Sequence, residues 1–308
     1  MKLKIKRAID FLLIFIFIVV VYINNTDFET FLGLYSHFYT NWVIIISSIT
    51  SVFFINIGDI LYICAIPLIY YYLLKSKTRR FFIIRLTFII IFIYSWFYLS
   101  WGFNYNKESI YKNNFYKYDI NELAETTDFY INKINNIHVA LLLDEYEKVV
   151  IESSFIEIVN ECKSSFEKLN FENFNFKKLK VNKSYFSLII SYMGFTGYIN
   201  PFTIEANINS RIPKISYPST ISHEIAHQIG FAGENEANFI GILSNQQSSN
   251  LEINYSGNLL ALHYLLGQLY FANNNLYSEK IKGIRNGILQ NIEEKKVFSL
   301  KYKNPIEP

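Results

Sequence analysis

The placement of apolar residues constrains this chain more than any other feature, because the long apolar runs all fall before residue 103 of 308. The first run, 8–23, follows a start, Met1 to Arg7, that carries Lys2, Lys4, Lys6 and Arg7. It leads into Val21-Tyr22-Ile23-Asn24-Asn25-Thr26, which lacks the small-residue pattern of a cleavage site, so it reads as an uncleaved anchor. A second apolar region extends from Trp42 to Leu74 and is punctuated by Asn56-Ile57-Gly58-Asp59. Crossing a bilayer takes about 20 residues, so 60–74 is read as a span entered at Asp59, with Trp42 to Ile55 lying along the surface or packed as a partial segment. The third span is 81–99, with Arg85 near one end and Trp96 and Trp101 near the other interface. Buried core helices of a soluble protein do not explain three such stretches within one hundred residues.

Lys and Arg are retained in cytoplasmic loops, and the second basic cluster is Lys75-Ser76-Lys77-Thr78-Arg79-Arg80. With three spans, both clusters lie inside and everything after Gly102 lies outside. The expected organisation is therefore a transmembrane anchor over 1–102 and an extracytoplasmic domain over 103–308, in a multi-pass protein of the cytoplasmic membrane. The bilayer is its first partner. The 29 basic and 26 acidic side chains are nearly balanced and scattered, so a nucleic-acid partner is not expected. Cys64 and Cys162 form neither a disulfide framework nor a metal knuckle.

After Asn104 the composition becomes that of a soluble domain large enough for its own core. Asn121 to about Leu169 reads as packing helices, on the spacing of Leu141, Leu142, Tyr146, Val149, Val150 and Phe155. Ser184 to Ile208, rich in Tyr, Phe, Ile and Thr and broken by Gly194 and Gly197, reads as two strands with a tight connection. Helical patterns resume at Ser219, Glu234 and Asn258. The fold expected is mainly α with a small antiparallel β element.

The chemistry is concentrated in His223-Glu224-Ile225-Ala226-His227. Two histidines four apart project from one face of a helix, and zinc takes imidazole and carboxylate ligands in tetrahedral geometry. Glu224 lies about 100° around that helix, where its carboxylate can act as general base toward a water. Helices also carry exposed His-Glu pairs without a metal, so the surrounding residues weigh in the reading. A hydroxyl of Thr220-Ile221-Ser222 is suited to cap the helix, and Gly230 is suited to end it. Glu234-Asn235-Glu236-Ala237-Asn238 looks like the start of a second helix that returns Glu234 as third ligand and sets Asn238 behind a histidine. Glu236 is the competing ligand and points to the opposite side of that helix. Transition-state stabilisation would come from Tyr255, His263 or Tyr264. Glu205 reads as an exposed strand carboxylate or a cleft residue, and His37 and His138 as loop or helix-surface residues.

His223-Glu224-x-x-His227-x-x-Gly230-Phe231 with Glu234-x-Glu236-Ala237-Asn238-Phe239 resembles a bacterial membrane family, domain of unknown function 3810. The resemblance extends to Trp101-Gly102-Phe103-Asn104-Tyr105 and to Gly197-Tyr198-x-Asn200-Pro201-Phe202-Thr203-x-Glu205-Ala206-Asn207. It implies a zincin-like α+β metallopeptidase domain behind the membrane helices, and no particular substrate. The Glu-x-Glu-Ala-Asn element is also similar to the third-ligand helix of glutamate-type zincins, where the first acid binds metal, although the gap after His227 is shorter here. The expected activity is hydrolysis of a protein or peptide by a chain holding one zinc ion. The alternatives are a zinc hydrolase of a non-peptide amide or ester, and a non-catalytic membrane sensor or assembly protein that keeps the fold.

Overall fold

The computed structural model describes residues 2–26, 29–110, 118–171 and 174–305, and shows a mainly helical chain with one small sheet. Four long helices come first: α1 (Lys2–Asn24), α2 (Glu29–Thr50), α3 (Ile57–Leu74) and α4 (Arg79–Ser100). Among the described residues, α3 and α4 are long and apolar enough to cross a membrane, and α1 carries a shorter apolar stretch, Asp10–Asn24. The basic side chains of Met1 to Arg7 lie outside the described residues. Thr78 caps α4 by accepting from the Phe81 amide at 3.3 Å, and Asn56 caps α3 by accepting from the Asp59 amide at 2.9 Å.

Trp42 to Ile55 is not a separate segment. Up to Thr50 it belongs to α2, which buries Tyr35, Tyr39, Val43 and Ser47 at four-residue intervals and leaves Phe38, Ile45 and Ile49 outside. An apolar-run reading misses the polar first half of this helix. Asp59 lies in the first turn of α3. It is fully buried and accepts from the Tyr185 amide at 2.6 Å, from Ser184 Oγ at 3.0 Å and from the Tyr198 hydroxyl.

The remaining helices are α5 (Ile120–His138), α6 (Phe155–Glu167), α7 (Ser187–Tyr192), α8 (Tyr217–Gln228), α9 (Glu234–Gln246), α10 (Leu251–Ala272), α11 (Asn274–Ile281) and α12 (Asn286–Tyr302). Asp119 and Glu122 form a capping box at the start of α5, and Ser154 and Glu157 form another at α6. Residues 139–154 between them are not helical. There Asp144 accepts from the amides of Tyr146 and Lys148, both at 2.9 Å, and closes a turn, so the helical spacing read across Leu141 to Val150 is coincidental. His138 is buried rather than superficial, its Nε2 lying 2.8 Å from the Glu147 carbonyl. His37 is exposed on α2.

The sheet is mixed, in the order β1 (Val181–Lys183), β3 (Ala206–Ile208), β2 (Gly197–Ile199). β2 pairs antiparallel with β3, with Tyr198 opposite Asn207. β1 joins the other side in parallel, with Asn182 opposite Asn207. The expected antiparallel element is thus one half of the sheet, and α7 occupies part of the stretch read as strand.

A buried ionic network fastens the α2–α3 link to this sheet. Glu205 is fully buried, neither exposed nor in a cleft, and it accepts from the Gly58 amide at 2.5 Å, Thr203 Oγ1 at 2.9 Å and Asn182 Nδ2 at 3.1 Å. Lys180 Nζ lies 3.3 Å from Glu205 and donates to the carbonyls of Thr50, Phe53 and Ile55 at 2.6 to 3.0 Å. A buried charge needs this degree of pairing, since stripping one partner costs about 3–5 kcal/mol. Tyr39, Trp101 and Phe103 share one apolar core with Ile221 and Ile225 of α8. The N-terminal helices are therefore packed into the body that carries the histidines.

Candidate metal centre

The helix that carries His223 and His227 starts earlier than its hydroxyl residues suggest. A turn over Lys214–Ser216 leads into Tyr217, with Pro218 in the first turn, where a missing amide hydrogen costs nothing. Thr220 and Ser222 are interior to α8, and Ser222 Oγ donates to Asn245 Oδ1 at 2.5 Å. The far end closes as the glycine requires. Gly230 has φ of +100°, its amide donates to the His227 carbonyl at 3.0 Å, and the Phe231 amide donates to the Ala226 carbonyl at 3.1 Å.

That reversal brings α9 back over α8. The rings of His223 and His227 sit 4.5 Å apart at 90° to each other. Glu234 Oε2 lies 3.3 Å from His223 Nε2, and Glu234 Oε1 lies 3.5 Å from His227 Nε2. One ligand atom from each of the three falls within 4.8 Å of the other two. Gly241 allows the close helix contact, because a Cβ there would stand 3.0 Å from the His223 backbone nitrogen.

The partners behind the rings decide what the Nε2 atoms can do. His227 Nδ1 faces the Phe231 carbonyl at 2.7 Å, and a carbonyl only accepts, so that nitrogen carries the hydrogen. His223 Nδ1 likewise meets Asn238 Oδ1 at 2.9 Å. In the neutral rings both Nε2 atoms are then bare lone pairs, and both are aimed at a carboxylate. Acceptors converging on acceptors hold together only around a cation, whether a proton or a metal. Burial alone would lower the His227 pKa, but the Glu234 hydrogen bond and the Glu224 charge raise it above its ordinary value. Glu234 is held well below the usual carboxylate range by its hydrogen bonds to His223 and His227. The donor set of two imidazoles and one carboxylate fits zinc, with a coordination position left over.

Glu236 does not join the cluster. Its Oε1 accepts from the Ile110 amide at 2.7 Å, on the other side of α9. Glu224 is buried on the cleft side of α8, and its Oε2 has no hydrogen-bond partner among the described residues. Burial pushes its pKa up, with His223 and His227 opposing the shift. Gly197 of β2 makes room for it, since a Cβ there would lie 2.6 Å from Glu224 Oε1.

These groups line a cleft of about 570 Å³, bounded by Gly194 to Ile199 on one side and by Leu260, His263, Tyr264 and Lys295 on the other. β2 lies at the edge of the sheet, beside the cleft. Burial lowers the His263 pKa, helped by the Lys295 charge, and lowers the Lys295 pKa to about 8. Tyr264 is raised by burial and by the charge of Glu234. Tyr255 is absent from this cleft. It is fully buried and bonds Asn291 Oδ1 at 3.0 Å, on the face of α10 about 180° around from Tyr264.

Sequence reasoning missed Lys295, the packing of Gly197 against Glu224 and the contacts of Trp101. Trp101 is buried in the protein: its Nε1 donates to the His227 carbonyl at 3.1 Å and its ring meets the imidazole edge-on at 5.9 Å. Tyr39 donates to the next carbonyl, Gln228, at 2.9 Å. Two N-terminal elements thus add donors to the last carbonyls of the histidine helix, which the turn at Gly230 satisfies only in part.

Fold and site together define a helical protein with apolar helices of membrane-spanning length, built around a two-histidine, one-glutamate cluster with a buried glutamate beside it. Residues 35–308 match the family described as protein of unknown function (DUF3810), and the chain belongs to that family. No curated protein and no solved structure gives a significant match to it.

Proposed function

We propose that this chain is a membrane-anchored zinc hydrolase of the metallopeptidase type, with a zincin-like arrangement of His223, His227 and Glu234 as ligands and Glu224 as general base. The observation that carries the proposal is the convergence of the two Nε2 lone pairs on the Glu234 carboxylate, beside the buried Glu224, whose Oε2 has no hydrogen-bond partner among the described residues. A zinc ion in that cluster would supply Lewis acidity toward a carbonyl oxygen and toward water. Glu224 accepts the proton of the attacking water and returns it to the leaving nitrogen. Asn238 and the Phe231 carbonyl hold the ring hydrogens on the Nδ1 side throughout. The edge of β2 offers backbone groups to an extended chain laid past Glu224, which favours a peptide over other amides or esters.

The topology supports an extracytoplasmic site. α3 leaves the domain at the buried Asp59 and α4 returns to it at Trp101, so the basic turn Lys75–Arg80 lies at the far end of both helices. With that turn in the cytoplasm, the cleft opens on the other side. A non-catalytic sensor is the weaker reading, because a structural zinc site is closed by a fourth protein ligand and needs no base. The test is Glu224→Gln in the purified full chain, assayed against a pool of quenched fluorescent peptides. Hydrolysis should fall by about 10²–10⁴-fold with zinc retained, and a fully active variant would refute the assignment.

A further inference from the structure

A second concavity, of about 1760 Å³, lies between α3 and α4, lined by apolar side chains such as Leu61, Ala65, Ile69, Ile84, Phe88 and Ile93. It ends near Lys75 and Lys77 at one extreme and at Phe97 and Pro201 at the other. Phe97 and Pro201 also line the cleft that holds His223 and Glu224. The groove between the apolar helices and the candidate metal cleft therefore meet across two shared residues. Next to Pro201, Phe202 stacks on Trp96 at 5.9 Å and 9°, and Trp96 Nε1 donates to the Pro201 carbonyl at 3.3 Å.

The groove has the calibre of a helix. Its lining on α4 runs from Phe81 to Phe97, about 25 Å at 1.5 Å per residue, so the volume corresponds to a mean cross-section of about 70 Å². That is a channel about 9–10 Å across, close to the 10–12 Å diameter of a helix with its side chains. A single extended acyl chain, one methylene wide, would leave most of it vacant. The polar cleft beyond Phe97 is bounded by a free strand edge, which takes an extended backbone rather than a helix.

The geometry points to a substrate that is itself membrane-anchored: a single apolar transmembrane helix seated between α3 and α4, with its extended extracytoplasmic continuation passing over Phe97 and Pro201 to His223 and Glu224. The chemistry at the end of that path rests on the metallopeptidase reading above. The anchor is then part of substrate selection, and cleavage falls just outside the bilayer, where the chain leaves its helix.

The test uses the full-length Glu224→Gln protein in vesicles of phosphatidylethanolamine and phosphatidylglycerol, with p-benzoylphenylalanine in place of Ile69 in the groove or of Leu68 outside it. The probe is a synthetic peptide with a Leu/Ala helix of about 20 residues, continued by a polar tail of mixed sequence. Irradiation should attach the probe at position 69 well above position 68, and Ala65→Trp, which fills the groove, should remove that preference without changing zinc content. Wild-type protein should cut the tail of the anchored probe about tenfold or more faster than the same tail alone. Capture at position 69 without cleavage by zinc-loaded wild type would support the groove and overturn the peptidase reading. Adducts with lipid only, together with equal cleavage of free and anchored tails, would overturn the groove and leave the peptidase reading in place.

Discussion

Replacing Gly197 with alanine tests whether Glu224 acts as the base from the position it occupies. Gly197 lies in β2 with an ordinary strand conformation, so the substitution adds only a methyl group. That methyl would stand 2.6 Å from Glu224 Oε1 and 2.9 Å from its Cγ and Cδ, against about 3.4 Å for an ordinary contact. Either the carboxylate or the strand must give by about 0.8 Å, the difference between the two distances. Overpacking of this kind costs about 1–3 kcal/mol of stability, which a folded domain of this size survives. Displacing a reacting group by about 1 Å costs about 10²-fold in rate, so peptide hydrolysis should fall by that order while zinc content stays at the wild-type level. Combined with Glu224→Gln, the change should add almost nothing, because the two substitutions disable one group. The assays are hydrolysis of quenched fluorescent peptides, elemental zinc and a thermal melt. A Gly197→Ala protein that hydrolyses at the wild-type rate, or that fails by losing zinc, would refute the reasoning.

Glu234→Gln should weaken zinc affinity by more than the ~10–100-fold expected for Asn238→Ala, which removes only the partner of His223 Nδ1, and Glu236→Gln should change it little. Competition with a chromogenic chelator measures all three, and the order Glu236 above Glu234 would reassign the ligand. Lys295→Met should raise the melting temperature at pH 7. The partly buried ammonium has its pKa lowered from 10.5 to about 8, so the unfolded chain binds more protons between those values and the wild type gains stability as pH rises through that window. The advantage of the methionine variant should therefore shrink from pH 8 to pH 10, and a difference independent of pH would show that Lys295 carries no such cost.

The cluster of His223, His227 and Glu234 was legible in the sequence because its parts are local. His223 and His227 share a helix face, Gly230 supplies the positive φ that ends the helix, and the next turn delivers Glu234 and Asn238 within sixteen residues of His223. What escaped depends on distant pairing. The strands are three residues long, and nothing in the spacing of Val181–Lys183 announces a parallel partner at Ala206–Ile208. Glu205 and Asp59 read as surface acids until the fold brings Lys180, Tyr185 and the Gly58 amide to them from up to 147 positions away. Tyr255 and Tyr264 look alike in the sequence, and only the rotation of α10 decides that Tyr264 reaches the cleft while Tyr255 enters the core. The bond from Trp101 to the His227 carbonyl, 126 residues away, escaped for the same reason.

The central claim is that His223, His227 and Glu234 converge around a metal ion rather than a proton, and elemental analysis of the purified full-length chain beside His227→Ala decides it most directly. One zinc per chain in the wild type and none in the variant is the result expected from the three-ligand cluster. No zinc in either protein after incubation with zinc and removal of the excess would mean that a protonated His227 simply pairs with Glu234, and the hydrolase would have to be abandoned.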